Sequence, residues 1–83
     1  MSYDLSRNEI EKMVRNEFTR LTKKECNIDG DMLISKGLGI DSLYMLEMYA
    51  MIESNFGVMI PTEELQNMKT INKIVDTIIE YRK

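Results

Sequence analysis

The chain lacks histidine altogether and has one cysteine, Cys26, among its 83 residues. Without an imidazole, no serine here has the usual base of a hydrolytic nucleophile, so serine-hydrolase chemistry is excluded. A lone cysteine cannot form an internal disulfide, which fits a reducing cytoplasm. With no histidine to join it, Cys26 makes no zinc site. We therefore expect a cytoplasmic protein that binds no metal and is not an enzyme.

Long apolar runs, glycine-rich phosphate loops and a basic surplus are missing as well. No stretch approaches the roughly 18–20 apolar residues of a membrane span. The first five residues lack the basic region and apolar core of a signal peptide. Residues 27–31 resemble a calcium loop, but Leu38 stands where its bidentate glutamate belongs. The net charge of −3 argues against nucleic acid, because phosphate binding needs a basic patch.

Basic residues are also absent from one long window. Residues 37–68 contain five acids and no lysine or arginine, so all eleven basic residues lie outside this window. Acids that complement the start of a helix explain part of this bias, notably Glu63 and Glu64. The alternative is a negative surface around Ser42 that steers a basic partner toward it.

Three segments have helical periodicity. Residues 6–9 (SRNE) form a capping box, and the apolar spacing that follows predicts a helix of about four turns. A second helix runs from about Asp41 to Phe56 and ends at Gly57, which suits a left-handed cap. Thr70 can cap a last helix that has one continuous apolar stripe.

The connections complete the predicted architecture. Residues 22–40 form a long first loop with room for one brief helical turn. Residues 58–61 are too short for a meaningful sheet, and Thr62 is a plausible cap for a short helix over residues 62–65. We predict an all-α protein: a small antiparallel bundle of three main helices plus one short helix, with a long first loop. It forms a single domain over residues 1–83.

The second helix has two apolar stripes when its residues are placed at steps of about 100°. One is wide enough for the core face and comprises Met45, Met48, Tyr49, Ile52 and Phe56. The other comprises Leu43, Leu46 and Ala50, on the same side as Ser42. It either packs under the long loop or docks a partner. The flanking Glu47 and Glu53 favour docking.

Ser42 is the most informative residue. The run LGIDSL at residues 38–43 places its hydroxyl at the first turn of a helix, directly after Asp41. A helix N-terminus offers unpaired N–H groups that tolerate a phosphodiester. A plain helix cap is the alternative. A serine that is presented without an internal base is typical of a substrate for another enzyme.

The context of Ser42 resembles the acyl carrier protein family. The run GIDSL at residues 39–43, then Glu47, then FGVMIPTEE at residues 56–64 carry the resemblance. The helix order, the long first loop and the length agree, whereas the N-terminal helix matches only in pattern. The family's fold is the helical bundle predicted above.

The resemblance implies a specific chemistry. Ser42 would receive 4′-phosphopantetheine from coenzyme A through a separate phosphopantetheinyl transferase, with Asp41 and Leu43 supporting the motif. The arm would then carry acyl groups as thioesters between acyl-loading, condensing and other biosynthetic enzymes. Positions that would meet those partners are Leu43, Leu46 and Ala50, with Glu47 and Glu53 pairing with basic partner surfaces. Such binding should be weak and salt-sensitive, and we expect a monomer.

Three departures from the family pattern leave the pathway open. Tyr44, Ser54 and Gly37 stand where many fatty-acid carriers have acids. Fatty-acid, polyketide and other specialised synthesis all remain compatible, as does a carrier of aminoacyl or peptidyl groups. A helical interaction module with no carrier role is the rival from another class.

The methionines have two interpretations. They are flexible side chains that either fill a small core or rearrange around a short acyl chain between the helices. The residues concerned are Met32, Met45, Met48, Met59 and Met68.

Overall fold

The computed structural model describes residues 5–82; the N-terminal segment in which no signal peptide is expected lies almost wholly outside them. In chain order the elements are α1 (Arg7–Thr22), α2 (Ile34–Leu38), α3 (Ser42–Phe56), a 3-10 helix (Thr62–Gln66) and α4 (Ile71–Tyr81). No strand occurs in this part of the chain. The predicted all-α bundle of three main helices is confirmed. No helix within residues 5–82 is long and apolar enough to cross a membrane.

Local capping sets where the main helices begin. The Ser6 hydroxyl accepts from the Glu9 N–H at 3.2 Å, and the Glu9 carboxylate accepts from the Ser6 N–H at 2.9 Å, so the capping box is confirmed. The Thr70 hydroxyl accepts from the Lys73 N–H at 3.1 Å and starts α4. Both caps satisfy amides that the first turn of a helix leaves without partners.

The predicted cap at Thr62 is wrong. Pro61 occupies the cap position, with φ −58° and ψ 144°, and no side chain caps the 3-10 helix. Thr62 is already inside the helix, whereas a capping side chain must come from a residue with non-helical backbone. The Pro61 carbonyl accepts from the Glu64 N–H at 2.9 Å and closes the first turn.

The core lies where the apolar stripes of the main helices meet. α1 packs against both α4 and α3. The five residues predicted for the core face of α3 are all buried. The buried residues of the other two helices are Ile10, Val14, Phe18, Ile71, Ile74, Val75, Thr77 and Ile78.

The first loop folds back over this core and is held by polar contacts. The Arg15 guanidinium donates to the carbonyls of Cys26, at 3.0 Å, and Ile28, at 2.7 Å. Two residues after Ile28, the Gly30 carbonyl accepts from the Asn72 N–H at 2.9 Å. These bonds satisfy loop groups that no regular helix would pair. The brief helical turn predicted in the loop is α2.

Two of the five methionines are not in the core. Met45, Met48 and Met68 are buried, but Met32 is 45% exposed and Met59 is 88% exposed. Met59 lies between Val58 and Ile60, which are both buried, so the segment turns alternate side chains inward and leaves Met59 outside. The expectation that all five face the core is wrong for these two.

Gly57 gives a test of how α3 ends. It adopts φ 64° and ψ 32°, and a Cβ built there would meet nothing within 4 Å. Gly57→Ala therefore isolates the backbone strain of the left-handed conformation, which should lower the free energy of unfolding by about 1 kcal/mol. Gly57→Asn should lose less, because asparagine tolerates this conformation. Urea unfolding measures both, and an unchanged stability for the alanine variant would contradict the account.

Candidate functional site

Asp41 sets the geometry of the site by capping α3. Its backbone is extended, with φ −100° and ψ −176°, and its Oδ1 accepts from the N–H groups of Leu43, at 3.1 Å, and Tyr44, at 3.2 Å. Gly39, which ends α2 in the left-handed conformation at φ 66°, turns the chain toward this cap. The start of α3 is therefore fixed by one side chain and one glycine.

Ser42 follows as the first residue of α3 and is exposed. Its hydroxyl makes no hydrogen bond to any of residues 5–82. The interpretation of Ser42 as a plain helix cap is wrong, because Asp41 supplies that cap. The amides of Leu43 and Tyr44, expected to be open to a phosphodiester, are already bonded to Asp41. What Ser42 offers is an accessible, unengaged hydroxyl.

A cavity of about 410 Å³ lies beside Ser42. Its rim is polar and includes Ser35, Gln66 and Lys69 along with the motif residues. Its walls are mostly apolar and come from Ile40, Met45, Leu46, Tyr49 and Leu65. The serine thus stands at the edge of a pocket between α3 and the 3-10 helix, which suits an apolar group attached nearby.

Tyr49 is the polar exception in the cavity wall. Its hydroxyl donates to the Met68 carbonyl at 2.9 Å and lies 3.4 Å from the Leu65 carbonyl. Burial raises the pKa of Tyr49, so the phenol stays protonated at neutral pH and remains a donor. The sequence placed Tyr49 on the core face but gave no sign of this bond or of the cavity, which depend on the path of a distant segment.

The second stripe of α3 is solvent-exposed. Leu43 is 70% exposed, Leu46 is 54% exposed, and Ala50 is exposed as well. The interpretation that these residues pack under the long loop is therefore wrong. Tyr44, beside them, is 41% exposed. Adjacent exposed apolar side chains on one helix face are compatible with a site for another molecule.

The two flanking acids differ. Glu47 is exposed and forms no ion pair with any residue between 5 and 82. Glu53 is half-buried, and its carboxylate accepts from the Ile60 N–H at 3.0 Å. Pairing with a partner surface requires both acids to be exposed, and this expectation is wrong for Glu53. The segment after α3 folds back and needs an acceptor for its amide.

Comparison of the sequence with known proteins identifies its family. A family model described as a phosphopantetheine attachment site matches residues 13–78. The acyl carrier protein of Myxococcus xanthus is 38% identical over 63 residues, covering 76% of this chain and 77% of its own. The chain belongs to the acyl carrier protein family. The acyl carrier protein of Rickettsia bellii (strain OSU 85-389) is 37% identical over 60 residues, covering 72% and 74% of the two chains. That of Rubrobacter xylanophilus is 29% identical over 79 residues, covering 94% and 98%.

The domain that defines this acyl carrier protein family carries covalently attached 4′-phosphopantetheine. The residues around Ser42 fit such a group. The hydroxyl is exposed and has no competing bond within the described chain, and an apolar cavity opens beside it. Lys69 lines the same cavity as Ser42 and adds a cation to it. It is the first basic residue after the window of residues 37–68, which has none.

Two substitutions at Asp41 separate its cap from its charge. Asp41→Ala removes the acceptor for two amides and should lower the free energy of unfolding by about 1 kcal/mol. Asp41→Asn keeps an oxygen in the same place and should stay close to the wild type. Urea unfolding at neutral pH measures both. Equal losses for alanine and asparagine would mean that the carboxylate charge, not the cap, stabilises the start of α3.

Proposed function

We propose that this protein carries acyl intermediates as thioesters on a 4′-phosphopantetheine arm attached to Ser42. It delivers them to partner enzymes of fatty-acid, polyketide or related specialised biosynthesis. The observation that carries the proposal is the Ser42 hydroxyl, exposed and unengaged at the start of a capped helix in a chain without histidine. In this function the chain is a single carrier domain, monomeric and cytoplasmic, and leaves catalysis to its partners.

Attachment requires Ser42 to act as the acceptor in a group transfer. Its Oγ forms a bond to the phosphorus of coenzyme A that bears pantetheine, and the bond from that phosphorus to the adenosine bisphosphate breaks. The proton of the hydroxyl passes to a base of the phosphopantetheinyl transferase, since this chain has no histidine to take it. Once bound, the group supplies a terminal thiol that holds cargo as a thioester.

The chain's own residues present the hydroxyl and receive the partner. Asp41 fixes the first turn of α3, so that Ser42 meets the transferase in one orientation. Leu43, Leu46 and Ala50 supply an exposed apolar contact, and Glu47 supplies a free charge at its edge. Glu53 bonds its own chain, so Glu47 carries most of the steering toward a basic partner.

The attachment site is tested with coenzyme A, a broad-specificity phosphopantetheinyl transferase and intact-mass measurement. Wild-type protein should gain one phosphopantetheine, and Ser42→Ala should gain none because the accepting oxygen is gone. Ser35→Ala is the matched control, since Ser35 is exposed on the rim of the same cavity and should leave modification unchanged. An interaction module with no carrier role would gain no mass even as wild type.

The partner face is tested by charge reversal at Glu47. An exposed pair contributes up to about 1 kcal/mol, so Glu47→Lys should lower kcat/KM for modification roughly fivefold at low salt. The folded state should be unaffected, because Glu47 makes no ion pair in the described chain. Glu80→Lys, an equal charge change on exposed α4 surface, is the control.

Glu53→Lys should behave differently from Glu47→Lys. It removes the acceptor of the Ile60 N–H, so it should lower the free energy of unfolding by about 1 kcal/mol as well as alter modification. Thermal unfolding distinguishes the two variants. Unchanged modification kinetics for Glu47→Lys at low salt would contradict the steering role.

A further inference from the structure

Two cavities lie side by side along α3 and share one wall. The first is the cavity of about 410 Å³ beside Ser42. The second, of about 190 Å³, lies farther along α3 and reaches Ala50, Glu53 and Ile60. The residues that line both are Leu46, Tyr49 and Leu65. These three side chains form the wall between the two spaces.

Tyr49 is the fixed part of this wall. Leu46 is 54% exposed and Leu65 is half-buried, whereas Tyr49 is only 8% exposed. Its ring is attached to α3 at one end and bonded through its hydroxyl to the Met68 carbonyl at the other. An aromatic side chain has only two soft torsions, so holding both ends leaves the ring little freedom.

The segment opposite Tyr49 is also held. The Tyr81 hydroxyl of α4 donates to the Glu64 carboxylate at 2.9 Å, which ties the 3-10 helix to the last helix. The Ile34 N–H donates to the Lys69 carbonyl at 2.9 Å and secures the residues after it. The carbonyl that accepts from Tyr49 therefore belongs to a braced segment, and the ring cannot swing aside without breaking a buried bond.

We propose that Tyr49 is a specificity-determining residue that limits the length of acyl chain this protein can shelter. An apolar chain that enters beside Ser42 gains by leaving water until it reaches the Tyr49 ring, and the second cavity stays closed to it. The inference rests on the proposed function, because cargo reaches this cavity from an arm on Ser42. It adds a selection rule for cargo length that is set by the wall of which Tyr49 is the fixed part.

Substitutions can separate the role of the Tyr49 ring, which closes the wall, from that of its hydroxyl, which bonds to Met68. Tyr49→Phe keeps the ring, so the wall stays closed, but it leaves the Met68 carbonyl without its donor. Tyr49→Ala removes the ring and joins the two cavities. Leu65→Ala opens the same wall from the side of the 3-10 helix and leaves the buried hydrogen bond of Tyr49 to Met68 in place.

The test uses forms loaded with butyryl, octanoyl, dodecanoyl and hexadecanoyl groups by a phosphopantetheinyl transferase acting on the acyl-coenzyme A series. The readout is the Tm of each acylated form minus the Tm of the unacylated, arm-bearing form of the same variant. For the wild type this difference should rise with chain length and then level off. For Tyr49→Ala it should continue to rise to at least the next longer chain in the series.

Two controls separate wall opening from loss of stability. Tyr49→Phe should lower the Tm of every form, but its Tm difference should level off at the same chain length as that of the wild type. Val14→Ala truncates a fully buried residue of α1 that lines neither cavity. Its Tm difference should also level off at the chain length seen for the wild type. If Tyr49→Ala does not fold, Leu65→Ala decides the question and should level off at a longer chain.

The outcomes distinguish the inference from the function on which it rests. If the wild type gains no mass at Ser42, the proposed function and this inference both fail. If it gains the mass but Tyr49→Ala levels off where the wild type does, only the inference is overturned; Leu65→Ala takes its place in this comparison if Tyr49→Ala does not fold. A wild type whose Tm does not respond to any chain length also overturns it, since no chain is then sheltered.

Discussion

The hydrogen bonds from the first amides of α3 to the Asp41 carboxylate are the interaction on which the site depends. They occupy the cap, so Ser42 is freed from that role and becomes the first helical residue. Its hydroxyl then faces solvent at a position fixed by the helix. A capping serine would have its oxygen bonded to its own backbone. Because Asp41 caps the helix, the adjacent Ser42 keeps its hydroxyl free and exposed at the start of α3.

α3 faces the core, the cavities beside Ser42 and solvent, which explains why it is apolar on more than one side. One face packs in the core, a second borders the cavities beside Ser42, and a third exposes Leu43, Leu46 and Ala50 to solvent. Tyr49 belongs to the first two, because its ring fills core space and its hydroxyl reaches the segment after the 3-10 helix. Through Tyr49, the cavity beside Ser42 is therefore coupled to the stability of the fold.

Sequence patterns predicted what depends on neighbours along the chain. Periodicity located the main helices and the five buried residues of α3, and local chemistry located the caps at Ser6 and Thr70. The Ser42 motif and its family could also be recognised from the sequence. Contacts between distant segments could not be predicted from it. The acceptor role of Glu53, the exposure of Met59 and the bond from Tyr49 to Met68 all depend on how the connection after α3 folds back. The prediction of a cap at Thr62 was wrong because Pro61 occupies the cap position.

The proposed function requires that the Ser42 hydroxyl, and no other, accepts the arm, and mapping the added mass to a residue shows whether it does. Trypsin should release residues 37–69 as one peptide, because that stretch contains no lysine or arginine before Lys69. The peptide carries the hydroxyls of Ser42, Ser54 and Thr62 together with those of Tyr44 and Tyr49. Fragmentation of this peptide from the modified protein should place the phosphopantetheine on Ser42. Its appearance on any other residue would contradict the account.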